Sequence, residues 1–463
     1  MGLLKDILMN LPEVQGPSQK RLPFKEKLKW TVVTLVLFFI LGMIPLFGLD
    51  PDNQFRFEQL EIILGAKFGS LITLGIGPIV TASIVLQLLT GAGLLKIDLT
   101  SHEGKAFYQG LQKAASIFFV IFEGIIYVFM GGLTPPTGLA GTSVYATLQW
   151  ILVLQLCVGA FLIMFMDEVV SKWGFGQGIS LFIAAGVSKE LFIKAFSILP
   201  SPANPSILTG AIPAMVQALA SQQLLDAARL GAFVLSTFAV FLMSIYGQAM
   251  KIEIPLSFGR VRGHGVRWPL SFIYTSNMPV ILVSAFMANI QLWARLMQNW
   301  GFPILGTFNG NNPATGLVAL LNAPNILGKV ITNSLTTGDI VSGFVYMLFM
   351  VGGSVLFSIF WVQTSGMDAK SQAENMMKSG LHIAGFRRDE RILERILERY
   401  IWPLTIMGAF FVGFLAGIAD LAGSLIRGTG ILLTVMIIYK LYEEIAKEHM
   451  MDMHPMLQKF IKS

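Results

Sequence analysis

Ten apolar runs, most of them long enough to cross a lipid bilayer, dominate this chain and leave it few choices of fold. They cover about 28–47, 73–91, 108–131, 144–167, 177–198, 228–249, 275–296, 339–362, 401–422 and 428–446. A spanning helix needs roughly 20 apolar residues. In lipid every backbone N–H and C=O must find its partner inside the protein, which helices alone achieve segment by segment. The fold expected is therefore an all-α polytopic membrane protein with ten transmembrane helices. Only 13% of the 463 residues are charged and 54% are hydrophobic, against roughly 25% charged in soluble domains. A single soluble core of this length would split into domains; a membrane bundle need not.

Basic residues orient the spans. With the amino end on one side, that side receives 25 of the 33 Lys and Arg residues, so the positive-inside rule makes it cytoplasmic. Both termini are then cytoplasmic, as an even number of spans requires. Residues 1–29 hold no apolar core ahead of a cleavage site, so the start does not read as a signal peptide and the first span is expected to be retained. Cys157 is the single cysteine, which excludes an intrachain disulfide.

Ten spans divide into five and five, with an N-terminal half over 1–225 and a C-terminal half over 226–463. An odd number of spans per half gives the halves opposite topology, the plan of inverted-repeat proteins with a pathway at the repeat interface. No residue-level repeat between the halves is evident; the division rests on span count. The segment Phe55–Ala66 interrupts the regular pattern. It is amphipathic, with Phe57, Leu60, Ile63 and Leu64 on one helical face and Arg56, Glu58, Glu61 and Lys67 polar. It is too short to span, and a half-length piece at membrane depth is tolerated only against protein or a water-filled cavity. A short helix in or near an enclosed pathway is the expectation.

No catalytic or metal-binding constellation is present: there is no His-Glu-x-x-His, Gly-x-Ser-x-Gly or phosphate-loop pattern. An enzyme is not expected, nor a cofactor, and any energy source must come from a partner. Ionisable and polar residues inside spans are functional candidates. Glu123 lies midway along the third span, Thr81 in the second and Asn289 in the seventh, where they form either a helix–helix clamp or a polar seam between helices that separate. Asp420, at a span end, has no evident partner. Ile76 with Val80, and Ile179 with Ile183, each share one helical face, as ordinary packing pairs also do. Two basic connections hold Arg260-Val-Arg-Gly-His-Gly-Val-Arg267 and Gly385-Phe-Arg-Arg-Asp-Glu-Arg391, the latter followed by a charge-laced helix over Ile392–Arg399. Arginines in this density suit RNA phosphate or an acidic protein, or anionic lipid headgroups. The connections Leu199–Leu224 and Gly301–Gly338 read as exposed loops with short apolar pieces.

The run Leu74-Gly-Ile-Gly-Pro-Ile-Val-Thr-Ala-Ser-Ile-Val-Leu-Gln-Leu-Leu89 resembles the second span of SecY, the central subunit of the protein-conducting translocon. Further matches follow in order: Leu11-Pro-Glu with Phe24-Lys-Glu-Lys, Gly178-Ile-Ser-Leu-Phe-Ile-Ala-Ala-Gly186, Arg260-Val-Arg-Gly, Phe272-Ile-Tyr-Thr-Ser-Asn-Met-Pro-Val-Ile-Leu282, Gly385-Phe-Arg-Arg and Gly428-Thr-Gly-Ile-Leu-Leu433. The resemblance covers nearly the whole chain and is nearer to the archaeal and eukaryotic branch than to the bacterial one.

The resemblance implies two five-helix halves that open around an hourglass pore. Phe55–Ala66 becomes a re-entrant plug helix, with Phe57, Leu60, Ile63 and Leu64 on its apolar face. Ile76, Val80, Ile179, Ile183, Ile281 and Leu433 become a pore ring. Thr81, Glu123 and Asn289 become the polar cluster of a lateral gate between spans two and three and spans seven and eight. Arg260, Arg262, Arg387 and Arg388 match a surface that docks the ribosome. The partners implied are a SecE-type subunit, a small beta-type subunit, the ribosome, signal sequences, nascent polypeptides and membrane lipids. The location implied is the plasma membrane of a prokaryote. A secondary transporter with inverted repeats is the competing class; it requires midplane ligands for a solute or ion, and the chain offers little beyond Glu123.

Overall fold

The computed structural model describes residues 12–18, 22–50, 69–91, 94–95, 97, 101–129, 133–200, 207–258, 265–275, 278–309, 312–378, 381–382 and 390–453. Each of the ten expected runs carries a helix: α1 (Phe24–Leu41), α2 (Gly77–Gly91), α3 (His102–Phe129), α4 (Ser143–Trp173), α5 (Gly178–Phe196), α7 (Leu224–Ala249), α8 (Met278–Asn299), α11 (Thr337–Thr364), α13 (Glu390–Leu421) and α14 (Gly428–Met453). Short helices α6 (Ala211–Ala220), α9 (Gly316–Leu320), α10 (Ile326–Ile331) and α12 (Ala369–Lys378) lie between them. Among the described residues, six helices (α3, α4, α7, α8, α11 and α13) are long and apolar enough to cross a membrane.

Local chemistry explains several starts. Thr142 caps α4, its hydroxyl accepting the Tyr145 N–H at 3.3 Å. Thr336 and Asp339 form a reciprocal capping box on α11, at 3.3 and 3.0 Å, satisfying donors that a helix N-terminus leaves free. The helix surfaces then decide the environment. Val32, Val36 and Ile40 on α1, Leu235, Phe238 and Leu242 on α7, and Phe344 and Leu348 on α11 all stand exposed. A soluble protein does not present contiguous apolar faces of this kind; against lipid they are the ordinary exterior.

The charge-laced helix expected over Ile392–Arg399 is not a separate element. It runs through Pro403 into the ninth apolar run as α13. Proline removes one backbone hydrogen bond, but Leu393, Leu397, Ile401 and Leu404 keep one buried stripe across it, and that continuous packing holds the helix together. The connection after α7 also differs from a plain loop. Lys251–Phe258 (β1) and Gly265–Ser271 (β2) pair antiparallel from Lys251↔Ser271 to Ser257↔Gly265. Leu381–His382 (β5) adds to the free edge of β1, with Phe258 opposite Leu381. Ile254 and Leu270 bury against α12 and α13. The connections between α5 and α7 and between α8 and α11 are likewise more ordered than exposed loops. They hold α6, α9, α10 and the two-residue strands β3 (Phe308–Asn309) and β4 (Asn312–Pro313). Gln298 clamps Phe308 through both backbone groups, at 2.6 and 3.1 Å, and Arg295 covers its ring at 4.8 Å.

In the bundle α2 packs on α3 and also meets α8 and α11; α14 packs on α5, α7 and α13. Contacts between the first five long helices and the last five thus run mainly along α2 with α8 and α11, and along α5 with α14.

Candidate functional site: an aliphatic ring beside a polar seam

Two helix starts share one pattern. The start of α2 reads Gly77-Pro-Ile-Val80 and that of α8 reads Met278-Pro-Val-Ile281. Proline is tolerated in a first turn because its missing N–H has no helical partner there. In both helices a ring candidate follows the proline by two residues, and a second pair, Ile183 on α5 and Leu433 on α14, follows an initial glycine by five. The structure gathers these positions. Ile76, Val80, Ile183, Ile281 and Leu433 are all buried in one apolar cluster, and Ile179 packs against it half-buried. Helices α2, α5, α8 and α14 each contribute, so residues up to 357 positions apart in sequence (Ile76 to Leu433) belong to one buried cluster. The cluster is purely aliphatic at these six positions. Flexible side chains of this type can fit around an extended chain of any sequence.

The segment ahead of α2 is held by backbone bonds. The Leu46 N–H donates to Gly69 O at 2.8 Å and the Leu71 N–H to Ile44 O at 2.9 Å. The described chain on the two sides of residues 51–68 is thus joined to itself, Ile44 and Leu46 to Leu71 and Gly69. The plug candidates Phe57, Leu60, Ile63 and Leu64 lie outside the described residues.

Beside the ring runs a polar contact between helices. The Thr81 hydroxyl donates to Gly77 O in its own helix at 2.9 Å and accepts from Asn289 Nδ2 at 3.1 Å. Glu123 is buried on α3 near the same hydroxyl. The three polar residues singled out from the sequence thus come from α2, α3 and α8 and lie close together. Apolar contacts flank them: Phe122 of α3 meets Trp293 of α8 at 6.1 Å, and Phe286 of α8 stacks on Phe349 of α11 at 6.3 Å.

The SecY family model matches residues 70–442, a stretch that holds every ring and seam residue. The chain belongs to the SecY family. The protein translocase subunit SecY of Methanothermobacter thermautotrophicus is 46% identical over 455 residues, 97% of this chain and 96% of that protein. That of Methanocaldococcus jannaschii is 40% identical over 461 residues and the full length of both. Among solved structures, one described as a protein conducting channel superposes with a TM-score of 0.82 at 40% identity, covering 97% of this chain and 98% of that one. Sec61 from the canine ribosome-channel complex of the endoplasmic reticulum superposes at 0.79 with 39% identity, covering 97% and 98%.

Within this SecY-family chain, Arg260, Arg262, Arg387 and Arg388 lie outside the described residues. The strands that flank them are described, and β1 pairs with β5 at Ser257–His382 and Phe258–Leu381, so the two arginine-bearing connections spring from adjacent strand ends. No sequence signal joined them; the two-residue periodicity of Ile252, Ile254, Leu256 and Phe258 was the one sign of a strand. Asp420 is a correction. It is not partnerless: the Tyr346 hydroxyl donates to its Oδ2 at 2.5 Å and the Gly428 N–H to its Oδ1 at 2.6 Å. Both partners are remote in sequence or belong to the backbone, which is why spacing did not find them.

Proposed function

We propose that this chain is the channel subunit of a protein translocase, a membrane protein that conducts polypeptides and is not an enzyme. The observation that carries the reading is that Ile76, Val80, Ile179, Ile183, Ile281 and Leu433, contributed by four helices, all pack in one apolar core cluster, in a chain of the SecY family. A narrow aliphatic constriction dewets and resists ions, yet yields to a passing chain. In this reading the ten long helices cross the bilayer as two inverted halves, 1–225 and 226–463, with both termini cytoplasmic in a prokaryotic plasma membrane. Residues 55–66 form a plug over the ring. The seam between α2/α3 and α8/α11 is the lateral gate, and Thr81, Glu123 and Asn289 hold it closed. Its polar bonds are weak by design of the medium: interhelical hydrogen bonds in membranes average about 0.6 kcal/mol each. An apolar signal sequence that exchanges these contacts for lipid and protein contacts faces a modest difference, not a large barrier. The partners proposed are SecE-type and small beta-type subunits, lipids along the seam, and the ribosome at the arginine connections; the likeness to ribosome-bound Sec61 supports the last.

The test is disulfide trapping. Cys157→Ser with Ile183→Cys is engaged by a ribosome-bound secretory chain carrying one cysteine. A crosslink that requires a functional signal sequence is expected. Its absence at positions 183, 80 and 433, with ribosomes bound, overturns the pore reading.

A further inference from the structure

The last long helix of each half begins in the same way, and in both cases a carboxylate from the preceding long helix holds the start. In α5 the Ile179 N–H donates to Asp167 Oδ1 at 2.8 Å, and Asp167 belongs to α4. In α14 the Gly428 N–H donates to Asp420 Oδ1 at 2.6 Å, and Asp420 belongs to α13. Helix N-termini leave free donors that a neighbouring Ser, Thr, Asp or Asn normally caps. Gln177, at the cap position of α5, makes no such bond; Asp167 supplies it from another helix. The negative charge also faces the positive end of each helix dipole.

The packing matches the hydrogen bonds. Both helices start on a glycine pressed against the helix that provides the carboxylate. A Cβ on Gly178 would lie 2.6 Å from Asp167 Cα, and one on Gly428 would lie 2.2 Å from Ala419 Cβ and 2.6 Å from Ala416 O. From each glycine the ring residue is the fifth along, Ile183 in α5 and Leu433 in α14. Asp420 is itself oriented by the Tyr346 hydroxyl of α11. Burying a carboxylate is costly unless it is hydrogen-bonded, and here the bonds made are to the first turns of the two ring-bearing helices. The consequence is geometric. A slip of one residue along a helix axis moves a side chain by about 1.5 Å and turns it by about 100°, which would take Ile183 or Leu433 off the ring. A lock on the first turn, little more than one turn away, prevents that slip.

We infer that Asp167 and Asp420 are paired positioning residues, one in each half, that fix the register of α5 and α14 and so aim Ile183 and Leu433 at the constriction. The inference rests on the channel reading above, and its test separates the two. In ribosome-engaged complexes of the full chain in a Cys157→Ser background, single cysteines at 432, 433 and 434, and at 182, 183 and 184, are trapped by a nascent-chain cysteine. In the parent, crosslinks concentrate at 433 and 183; a parent with none at either overturns the channel reading itself. In Asp420→Ala the preference for 433 over its neighbours falls about fivefold, the equilibrium effect of one lost cap, while 183 keeps its preference. Asp167→Ala does the converse. Asp→Asn at either position, which keeps an accepting oxygen, restores much of the preference, a rescue that loss of general stability would not give. Should an alanine variant fail to accumulate, Tyr346→Phe frees Asp420 without removing the cap and is expected to broaden the 433 pattern alone. Patterns at 433 and 183 that stay as sharp as the parent's in the folded Ala or Phe variants overturn the positioning role.

Discussion

The Asn289 amide donates to the Thr81 hydroxyl at 3.1 Å, a bond that crosses from α8 to α2. It ties two helices through residues 208 apart in sequence.

Thr81→Val keeps the shape of that side chain and removes the hydroxyl. At about 0.6 kcal/mol for such a bond, the open fraction is expected to rise about threefold. Translocation of a preprotein with a shortened signal sequence is the measurement. Efficiency equal to the parent's would mean that Thr81 does not hold the seam.

Gly159→Ala is expected to disrupt the fold. A Cβ there would lie 1.8 Å from the Leu71 carbonyl oxygen, in the segment that leads into α2. Backbone cannot yield as a side-chain tip can, so a cost of at least about 3 kcal/mol follows. Detergent-solubilised protein followed by fluorescence size exclusion after heating should lose its monodisperse peak at markedly lower temperature.

Residues 12–18 bind the C-terminal end of α4 and Lys113 of α3. The Val14 N–H donates to Glu168 Oε2 at 2.8 Å, Lys172 Nζ to Val14 O at 2.6 Å and Trp173 Nε1 to Gln15 O at 2.9 Å; Lys113 reaches both Glu168 and Pro12 O. Glu13 pairs with Lys172 at 2.6 Å, and the hydrogen bond from Lys172, outweighing burial, holds its carboxyl below the ordinary 4.5. A depressed carboxylate pKa contributes to the tether above that ordinary value and loses the contribution as pH falls through the folded value. A spin label on Gly16→Cys, with Cys157→Ser, should therefore gain mobility as pH falls below the ordinary 4.5. In Glu13→Gln that pH step should be smaller, and an unchanged step would assign it to another group.

Deleting Phe55–Ala66 is expected to raise resting ion leakage in planar bilayers, if this short amphipathic segment seals the pathway as proposed. Unchanged conductance would count against a plug.

Arg260→Glu with Arg387→Glu should abolish ribosome co-sedimentation, since Arg–phosphate contacts dominate affinity for RNA and weaken with salt. Each single change should lower the salt concentration at which ribosomes dissociate. Binding that ignores both substitutions would move the docking surface elsewhere.

Much of this was legible before the structure. Long apolar runs mark helices because only a helix closes its own hydrogen bonds in lipid, and all ten runs are helical. Ile76 with Val80 and Ile179 with Ile183 were visible only as packing pairs; the family resemblance singled them out. The β1–β2 hairpin and its pairing with β5 were missed because Pro255 and Pro269 sit inside the strands and because β5 is two residues long. The helix over Ile392–Arg399 continues through Pro403 into the ninth apolar run because a buried leucine–isoleucine stripe outweighs one lost hydrogen bond.

By itself the sequence determined the class of protein and where along the chain its apolar helices lie, since both depend on local hydropathy and on solvation of single residues. Only the tertiary structure decided which faces meet. It brought Thr81 to Asn289, Asp420 to Tyr346 and Gly428, and Asp167 to the start of α5. These are bonds between groups distant along the chain, some to backbone N–H that every residue carries, so no side-chain pattern announces them; they exist because buried polar groups must pair with whatever the packed helices bring within reach.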